Sequence, residues 1–160
     1  MIRAIFLDVD GTLISFSTHE IPASALRALA QAHERGVRLF IATGRAANDL
    51  GPLEGIPYDG VVSLNGARCV ANDGRVVSLH PIPRADFERA LALSEEQDFA
   101  MGLELEEGVF VNRVTPDVER VAHMVAHPVP EQTDLRELFG RVECCQLCFY
   151  FDAETQRRVM

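Results

Sequence analysis

Apolar runs at the start of the chain alternate with segments of helical pattern. Three runs are mostly apolar and have the length of buried strands: residues 2–9, 37–42 and 58–64. Residues 23–35 are rich in Ala and Leu, follow Pro22 and precede Gly36, which predicts a helix with proline at its start and glycine at its end. A shorter helix is predicted over residues 46–53. The order β-α-β-α-β predicts an α/β fold with a doubly wound, Rossmann-like parallel sheet.

The pattern changes after the third strand. Two strand-like runs flank the sequence NDG at residues 72–74, a strong signal for a β-hairpin, and two prolines, Pro81 and Pro83, follow. Beyond the hairpin strands, at 67–71 and 75–79, helices are predicted at 84–97, 117–126, 134–139 and 153–160, and strands at 99–105, 109–114 and 143–152. We therefore expect an α/β domain over residues 1–80 and an α+β domain, mostly antiparallel, over residues 81–160.

Composition narrows the function classes. Hydrophobic residues make up 48% of the 160 residues and charged residues 24%, an ordinary balance for a globular protein. The net charge of -9 argues against a nucleic-acid partner, which would need clustered basic residues. No apolar run approaches the ~20 residues that cross a bilayer, and Met1 to Val9 is too short for a signal peptide. We therefore expect a cytoplasmic protein without a membrane partner.

The cysteines and histidines do not form a recognisable ligand pattern. Cys145 and Cys148 have the spacing C-x-x-C, but no second pair follows, so reduced, buried thiols are favoured over a zinc or redox site. The other two cysteines are Cys69 and Cys144. The histidines lack a common ligand spacing and are predicted to be surface residues: His19, His33, His80, His123 and His127.

Two acidic residues follow the first strand directly, in the sequence DVDGT at residues 8–12. Carboxylates two positions apart on a strand point the same way, so Asp8 and Asp10 can both approach one site. Two anions this close repel and need a cation, and Mg²⁺ takes one or two carboxylates together with phosphate oxygens and water. Gly11 lets the backbone turn sharply and lets a phosphate come close. The alternative interpretation is an Asx-type turn with two solvated acids.

Polar residues also follow the second and third predicted strands. Thr43 and Asn65, like Asp8, lie at or just beyond the carboxyl ends of their strands. Open α/β sheets bind ligands at this edge, so these residues are expected to line one site. Thr43 could instead cap the following helix, and Asn65 with Gly66 could form only a turn.

Three segments carry a resemblance to a known family. FLDVDGTL at residues 6–13 resembles the first signature of the haloacid dehalogenase (HAD) superfamily. IATGR at residues 41–45 resembles its second signature as found in the Cof-like sugar phosphatases, and SLNGA at residues 63–67 is similar to the same branch. That branch inserts a cap domain after the third strand, which is where the pattern changes here.

The resemblance implies a phosphatase that forms an aspartyl-phosphate and depends on Mg²⁺. Asp8 would attack phosphorus, and Asp10 would protonate the leaving alcohol and then deprotonate water. Mg²⁺ would be held by the Asp8 carboxylate and the Asp10 backbone carbonyl. Small phosphate monoesters, sugar phosphates above all, would be bound at the phosphate by residues of three loops: Gly11, Thr12, Thr43, Gly44, Arg45 and Asn65. Arg45 could instead pair with an acidic cap residue or belong to a first helical turn.

Two further signatures implied by the resemblance do not occur in the sequence. The family expects a Lys and an acidic G-D-x-x-x-D loop after the cap, and every basic residue here is Arg. We therefore expect an incomplete HAD core and cap, from a fragment or a shortened gene product. Weak Mg²⁺ binding and little turnover are expected from the 160 residues alone, and a sheet edge and apolar surface should be exposed.

Other functions remain open at this point. A sugar phosphomutase would share the DVDGT signature, and a non-catalytic phosphate-binding or regulatory fragment would fit the missing signatures. A response-regulator receiver is disfavoured, because its phosphorylated Asp lies after a later strand than its acidic pair. Glu104 and Arg113 are candidate substrate contacts in the cap, and the substrate and the oligomeric state are left open.

Overall fold

The computed structural model describes residues 2–15, 17–18, 20–53, 55–125 and 127–159. Those parts of the predictions above that fall on His19, Ala126 and Met160 lie outside the described residues. The chain divides into two compact units, Met1–His80 and Pro81–Met160. In the described part of the chain, no helix is long and apolar enough to cross a membrane.

The first unit is built on a five-stranded sheet in the order β1-β2-β3-β4-β5. The pairings β1–β2 and β2–β3 are parallel, and β3–β4 and β4–β5 are antiparallel. The predicted α/β fold with a parallel sheet and the predicted hairpin are both confirmed. The elements are β1 (Ala4–Leu7), α1 (Ala23–Glu34), β2 (Arg38–Ala42), β3 (Gly60–Ser63), β4 (Arg68–Ala71) and β5 (Val76–Leu79).

Helix α1 begins and ends where the sequence predicts. Pro22, at φ −58°, precedes the first helical residue, and Gly36 at φ +79° follows the cap residue Arg35 in the left-handed conformation that ends many helices. Leu29 is buried, whereas Leu26, three residues earlier on the same side of the helix, is exposed. The helix therefore contributes a narrower apolar face to the core than its pattern indicates.

The prediction that the first strand is buried is wrong for one of its faces. Strand residues in the core of this unit share one face of the sheet, among them Leu39, Ile41 and Val61, with Ile5 and Leu7 packed against them. Phe6 lies on the opposite face, is 62% exposed and stacks on Phe40 with ring centroids 4.9 Å apart. Alternate side chains of a strand point to opposite faces, so an apolar run alone does not show that both faces are covered.

The predicted helix over residues 46–53 does not form. The segment contains a turn and a single 3₁₀ turn, Gly51–Leu53. Pro52 has no N–H to donate to the carbonyl four residues before it, and a proline ring clashes with that carbonyl in an α-helix, so a continuous helix over this segment is disfavoured. Leu50 and Leu53 are nevertheless buried in the core, as a helical apolar face would have been.

The second unit contains a four-stranded sheet in the order β8-β7-β6-β9. The predicted antiparallel pairing is confirmed for β6 with β7 and for β6 with β9. Strand β8, parallel to β7, was not predicted, because two residues are too few to show a period. The elements are α2 (Arg84–Glu96), β6 (Ala100–Leu105), β7 (Gly108–Val111), α3 (Pro116–Met124), β8 (Glu131–Gln132), α4 (Leu135–Phe139), β9 (Gln146–Tyr150) and α5 (Ala153–Val159).

Both faces of this second sheet contribute to buried clusters. Met101 and Leu103 of β6 pack with Phe87 of α2, while Val111 and Tyr150 pack with Val118 of α3 and other residues. None of the four cysteines forms a disulfide; Cys144 is buried, and Cys69, Cys145 and Cys148 are partly buried. Full burial is thus found for Cys144 alone, and the reduced state of the cysteines stays a prediction.

Candidate active site

The acidic sequence after β1 forms a compact turn around one buried residue. Val9 is 1% exposed, and its carbonyl accepts the N–H groups of Leu13 and Ile14 at 3.0 and 2.9 Å. Gly11 has φ +77°, a conformation that costs glycine little and other residues more. The residues on either side of Val9, Asp8 and Asp10, are both exposed. This alternation is the one expected of two carboxylates that point to the same side of the chain.

Thr12 orients the first of these carboxylates. Its hydroxyl Oγ1 donates a hydrogen bond to Asp8 Oδ2 at 2.8 Å. A hydrogen bond to a carboxylate is among the stronger side-chain contacts. One oxygen of Asp8 is therefore held by its own turn.

Arg45, in the loop after β2, binds the second carboxylate with two hydrogen bonds. Nε donates to Asp10 Oδ2 at 2.9 Å and Nη2 donates to Asp10 Oδ1 at 2.8 Å. Nη1 donates to the Asp49 carbonyl at 3.3 Å and to its carboxylate at 3.4 Å. The hydrogen bond with Asp10 raises the pKa of Arg45 above its usual value.

This ion pair was missing from the sequence interpretation. Arg45 was expected to contact phosphate, an acidic cap residue or a helical turn, and the last of these is wrong because no helix follows. The signal was present: an acid after β1 and a base after β2, on strands that pair in parallel. Parallel neighbours bring the residues after their carboxyl ends to one edge, which places opposite charges side by side.

Thr43 lies at the end of β2 and is 6% exposed. Its N–H donates to the Val62 carbonyl of β3 at 2.9 Å, and its Oγ1 accepts the N–H of Arg45 at 3.1 Å. The latter contact resembles the capping interaction weighed above, although no helix begins there. A hydroxyl that accepts one hydrogen bond still has a proton to donate, so Thr43 can also act as a donor to an anion.

The loop after β3 is pinned to the loop after β2. The N–H groups of Leu64 and Asn65 donate to the carbonyls of Arg45 and Thr43, each at 3.1 Å. A Cβ on Gly44 would lie 3.2 Å from Asn65 Oδ1, closer than most real Cβ contacts, so glycine permits this approach of the amide.

Three consecutive residues of the loop after β3 are left-handed. Leu64, Asn65 and Gly66 have φ values of +50°, +53° and +95°. The conformation costs roughly 1–2 kcal/mol for each residue that carries a Cβ. The backbone hydrogen bonds to Arg45 and Thr43 and the burial of Leu64 hold the loop in this state.

The oxygen atoms at this edge fit Mg²⁺ better than a softer metal. The donors offered here are the carboxylate of Asp8 and the backbone carbonyl of Asp10, the oxygen ligands that Mg²⁺ prefers. Among the described residues, no group of three or more His, Cys, Asp or Glu side chains is arranged to hold a metal ion. Two protein oxygens are compatible with Mg²⁺, because this ion usually keeps several of its waters.

Sequence and structure comparisons agree on the family. The model of the haloacid dehalogenase-like hydrolases matches residues 5–159. The chain is 30% identical over 95 residues to YkrA of Bacillus subtilis strain 168, a provisionally assigned phosphatase; the match covers 59% of this chain and 36% of YkrA.

Two solved structures show the same fold. BT1666 from Bacteroides thetaiotaomicron, a phosphatase of the HAD superfamily, is 54% identical with a TM-score of 0.93, covering 100% of this chain and 60% of BT1666. BT4131, a sugar phosphatase of HAD subclass IIB, is 28% identical with a TM-score of 0.83, covering 98% of this chain and 62% of BT4131. The chain thus spans about three-fifths of the length of these two relatives. With a family match over nearly its whole length and the fold of these phosphatases, the chain belongs to the haloacid dehalogenase-like hydrolases.

Proposed function

We propose that the chain carries the nucleophile and the general acid–base residue of a Mg²⁺-dependent phosphatase that hydrolyses small phosphate monoesters. The observation that carries the proposal is the turn after β1, where Thr12 holds Asp8 at 2.8 Å and Arg45 holds Asp10 at 2.8 and 2.9 Å. Sugar phosphates are the proposed substrate class, because the relative BT4131 is a sugar phosphatase.

The proposed reaction has two steps. In the first, an oxygen of Asp8 forms a bond to phosphorus as the ester P–O bond breaks, and Asp10 gives a proton to the departing oxygen. In the second, Asp10 takes a proton from water, whose oxygen bonds to phosphorus as the bond to Asp8 breaks. Bound Mg²⁺ would offset the repulsion between the Asp8 carboxylate and the anionic phosphate.

The phosphate would be bound by donors from all three loops. Thr43 can offer its hydroxyl proton, and Gly44 offers a backbone N–H. Gly11, Thr12 and Asn65 lie in the adjoining turns and complete the proposed set. That Arg45 contacts phosphate stays a prediction, since the contacts described here are to Asp10 and Asp49.

The two units have different proposed roles. Residues 1–80 would form part of the catalytic core, and residues 81–160 would form part of a cap that selects the substrate. Glu104 and Arg113 remain candidate substrate contacts; Glu104 binds the Gln146 amide, and Arg113 binds Asp98 at 2.6 Å. We propose a cytoplasmic enzyme whose substrates are small phosphate esters and which has neither a nucleic acid nor a membrane as a partner.

A phosphate-release assay with Mg²⁺ and a panel of sugar phosphates tests the proposal. Asp8→Asn keeps the shape of the side chain but removes the nucleophile, so release should fall by at least about 10³-fold. Asp73→Asn is the matched control, because Asp73 lies in the exposed turn between β4 and β5. Unchanged release by Asp8→Asn would contradict the assignment of the nucleophile.

A binding measurement separates the alternative functions. Beryllium trifluoride with Mg²⁺ mimics an aspartyl-phosphate, and bound fluoride can be followed by ¹⁹F NMR without turnover. Binding that is lost in Asp8→Asn, but without phosphate release, would favour the non-catalytic phosphate-binding module. Isomerisation of a sugar phosphate without net release would instead indicate a mutase.

A further inference from the structure

Arg45 connects all three loops at the carboxyl edge of the parallel strands. Its guanidinium binds Asp10 in the loop after β1. Its carbonyl accepts the N–H of Leu64, in the loop after β3, at 3.1 Å. Its own N–H donates to Thr43 Oγ1 at 3.1 Å within the loop after β2. Through these three contacts, Arg45 holds together the loops after β1, β2 and β3, which carry the residues of the proposed reaction.

The side chain of Arg45 is held at both ends. The backbone contacts fix its Cα, and the contacts of Nη1 with Asp49 fix one side of the guanidinium, at 3.3 Å to the carbonyl and 3.4 Å to the carboxylate. The Arg45 side chain is only 22% exposed. Asp10 therefore binds a cation whose orientation is already set, and not a freely moving surface arginine.

Two parallel hydrogen bonds define an orientation as well as a distance. A bidentate guanidinium–carboxylate pair holds both oxygens and so fixes the plane of the carboxylate, which the point charge of a Lys would not do. Each carboxylate oxygen has a second lone pair, so Asp10 can still accept a proton from water while Arg45 is bound.

We propose that Arg45 is a positioning residue that fixes the plane of the Asp10 carboxylate for the second half of the reaction, hydrolysis of the aspartyl-phosphate. This inference rests on the proposed function. In that step Asp10 removes a proton from water, the water oxygen bonds to phosphorus, and the P–O bond to Asp8 breaks. Arg45 acts through Asp10 and takes no part in bond making.

The two half-reactions can be separated with p-nitrophenyl phosphate. Nitrophenolate leaves without a proton, so formation of the aspartyl-phosphate does not require Asp10, whereas its hydrolysis does. In Arg45→Gln we expect a rapid release of one equivalent of nitrophenolate at the wild-type rate, followed by a steady rate about 10²-fold below wild type. Arg45→Lys should recover part of the steady rate, because it keeps the charge but not the bidentate geometry.

Arg38→Gln is the matched control for these measurements. Arg38 is an exposed residue at the start of β2, and its substitution should leave both phases unchanged. Equal slowing of the burst and the steady rate in Arg45→Gln, or a rise in KM alone, would overturn the inference in favour of a phosphate-binding role. Where Arg45→Gln fails to fold, Arg45→Lys and Asp49→Asn give the same comparison of phases, with a smaller loss of the steady rate expected for each.

A measurement without catalysis tests the ion pair itself. Rotation about the Cζ–Nε bond of arginine slows when the guanidinium is held by two acceptors, and arginine ¹⁵N NMR reports this rotation in the intact chain. We expect slow rotation for Arg45 in the wild type and fast rotation in Asp10→Asn. Fast rotation in the wild type overturns the inference, whatever the activity. If rotation is slow but the wild type releases no nitrophenolate, the ion pair exists in solution. The proposed function is then overturned, and the positioning role with it.

Discussion

Thr12 is the residue that orients the proposed nucleophile, and it can be changed without changing shape. Thr12→Val removes the hydroxyl that donates to Asp8 Oδ2 at 2.8 Å. Hydrogen bonds to a charged group contribute about 1.5–3 kcal/mol, so we expect kcat for phosphate release to fall by roughly 10- to 100-fold. Thr12→Ser retains the hydroxyl and should stay within a few-fold of wild type. Similar activity of the Val and Ser variants would show that the hydrogen bond does not matter.

Single residues differed in how well the sequence revealed their surroundings. Asp8, Thr43 and Asn65 could be predicted to lie at one edge, because that edge follows from strand order and direction alone. The partner of Arg45 could not, since a long side chain reaches many positions and its choice depends on the path of the loop after β2. The left-handed backbone at Leu64 was equally hidden, because leucine carries no local signal for that conformation.

At the scale of elements, patterns with local causes were predicted well. The hairpin at β4 and β5 follows from the turn residues, and α1 follows from Pro22 and Gly36. The prediction of a helix over residues 46–53 was wrong, because Gly51 and Pro52 are poor residues for the interior of a helix. Leu50 and Leu53 of this segment are buried in the core, as they would be in a helix. The prediction was therefore wrong for the backbone conformation but right for the burial of these side chains.

Strand β9 and the residues before it provide a test of the thiol chemistry. Burial raises the pKa of Cys144 to about 11 and that of Cys148 to about 12. At pH 8 only about 10⁻³ of the Cys144 thiol or less would be thiolate, the reactive form. We expect iodoacetamide to label Cys144 and Cys148 only after unfolding in guanidinium chloride, as followed by peptide mass mapping.

The rate of this labelling separates the two interpretations of the C-x-x-C spacing. A zinc or redox site would stabilise thiolates and lower the pKa of its cysteines, so that labelling would be rapid at neutral pH. Labelling should instead accelerate only as the pH rises toward the raised values. Rapid modification of Cys148 in the folded chain at pH 7 would contradict the burial described here.

At the scale of the whole molecule, each unit has a core of its own. Among the described residues, the buried cluster of the first unit runs from Val9 to Val61, with partly buried neighbours of the same unit packed against it. In the part of the second unit that the structure describes, the buried clusters begin at Phe87, with Ile82 packed against them. A domain division near Pro81 could be proposed from the change of pattern, but the membership of each core could not, because it depends on which faces of the strands are covered.

Because each unit has its own core, a cavity in one core should destabilise that unit and leave the other unit unaffected. Phe87 is fully buried and stacks on Phe139 with ring centroids 4.1 Å apart, so Phe87→Ala should destabilise the second unit by about 3–5 kcal/mol. Amide hydrogen exchange should accelerate in β6 and α4, while the amides of the turn after β1 keep their protection. Leu93→Ala is the control on the same helix. Because Leu93 is exposed, this substitution should lower the free energy of unfolding only slightly. Loss of protection around Val9 in Phe87→Ala would mean that the two cores unfold as one.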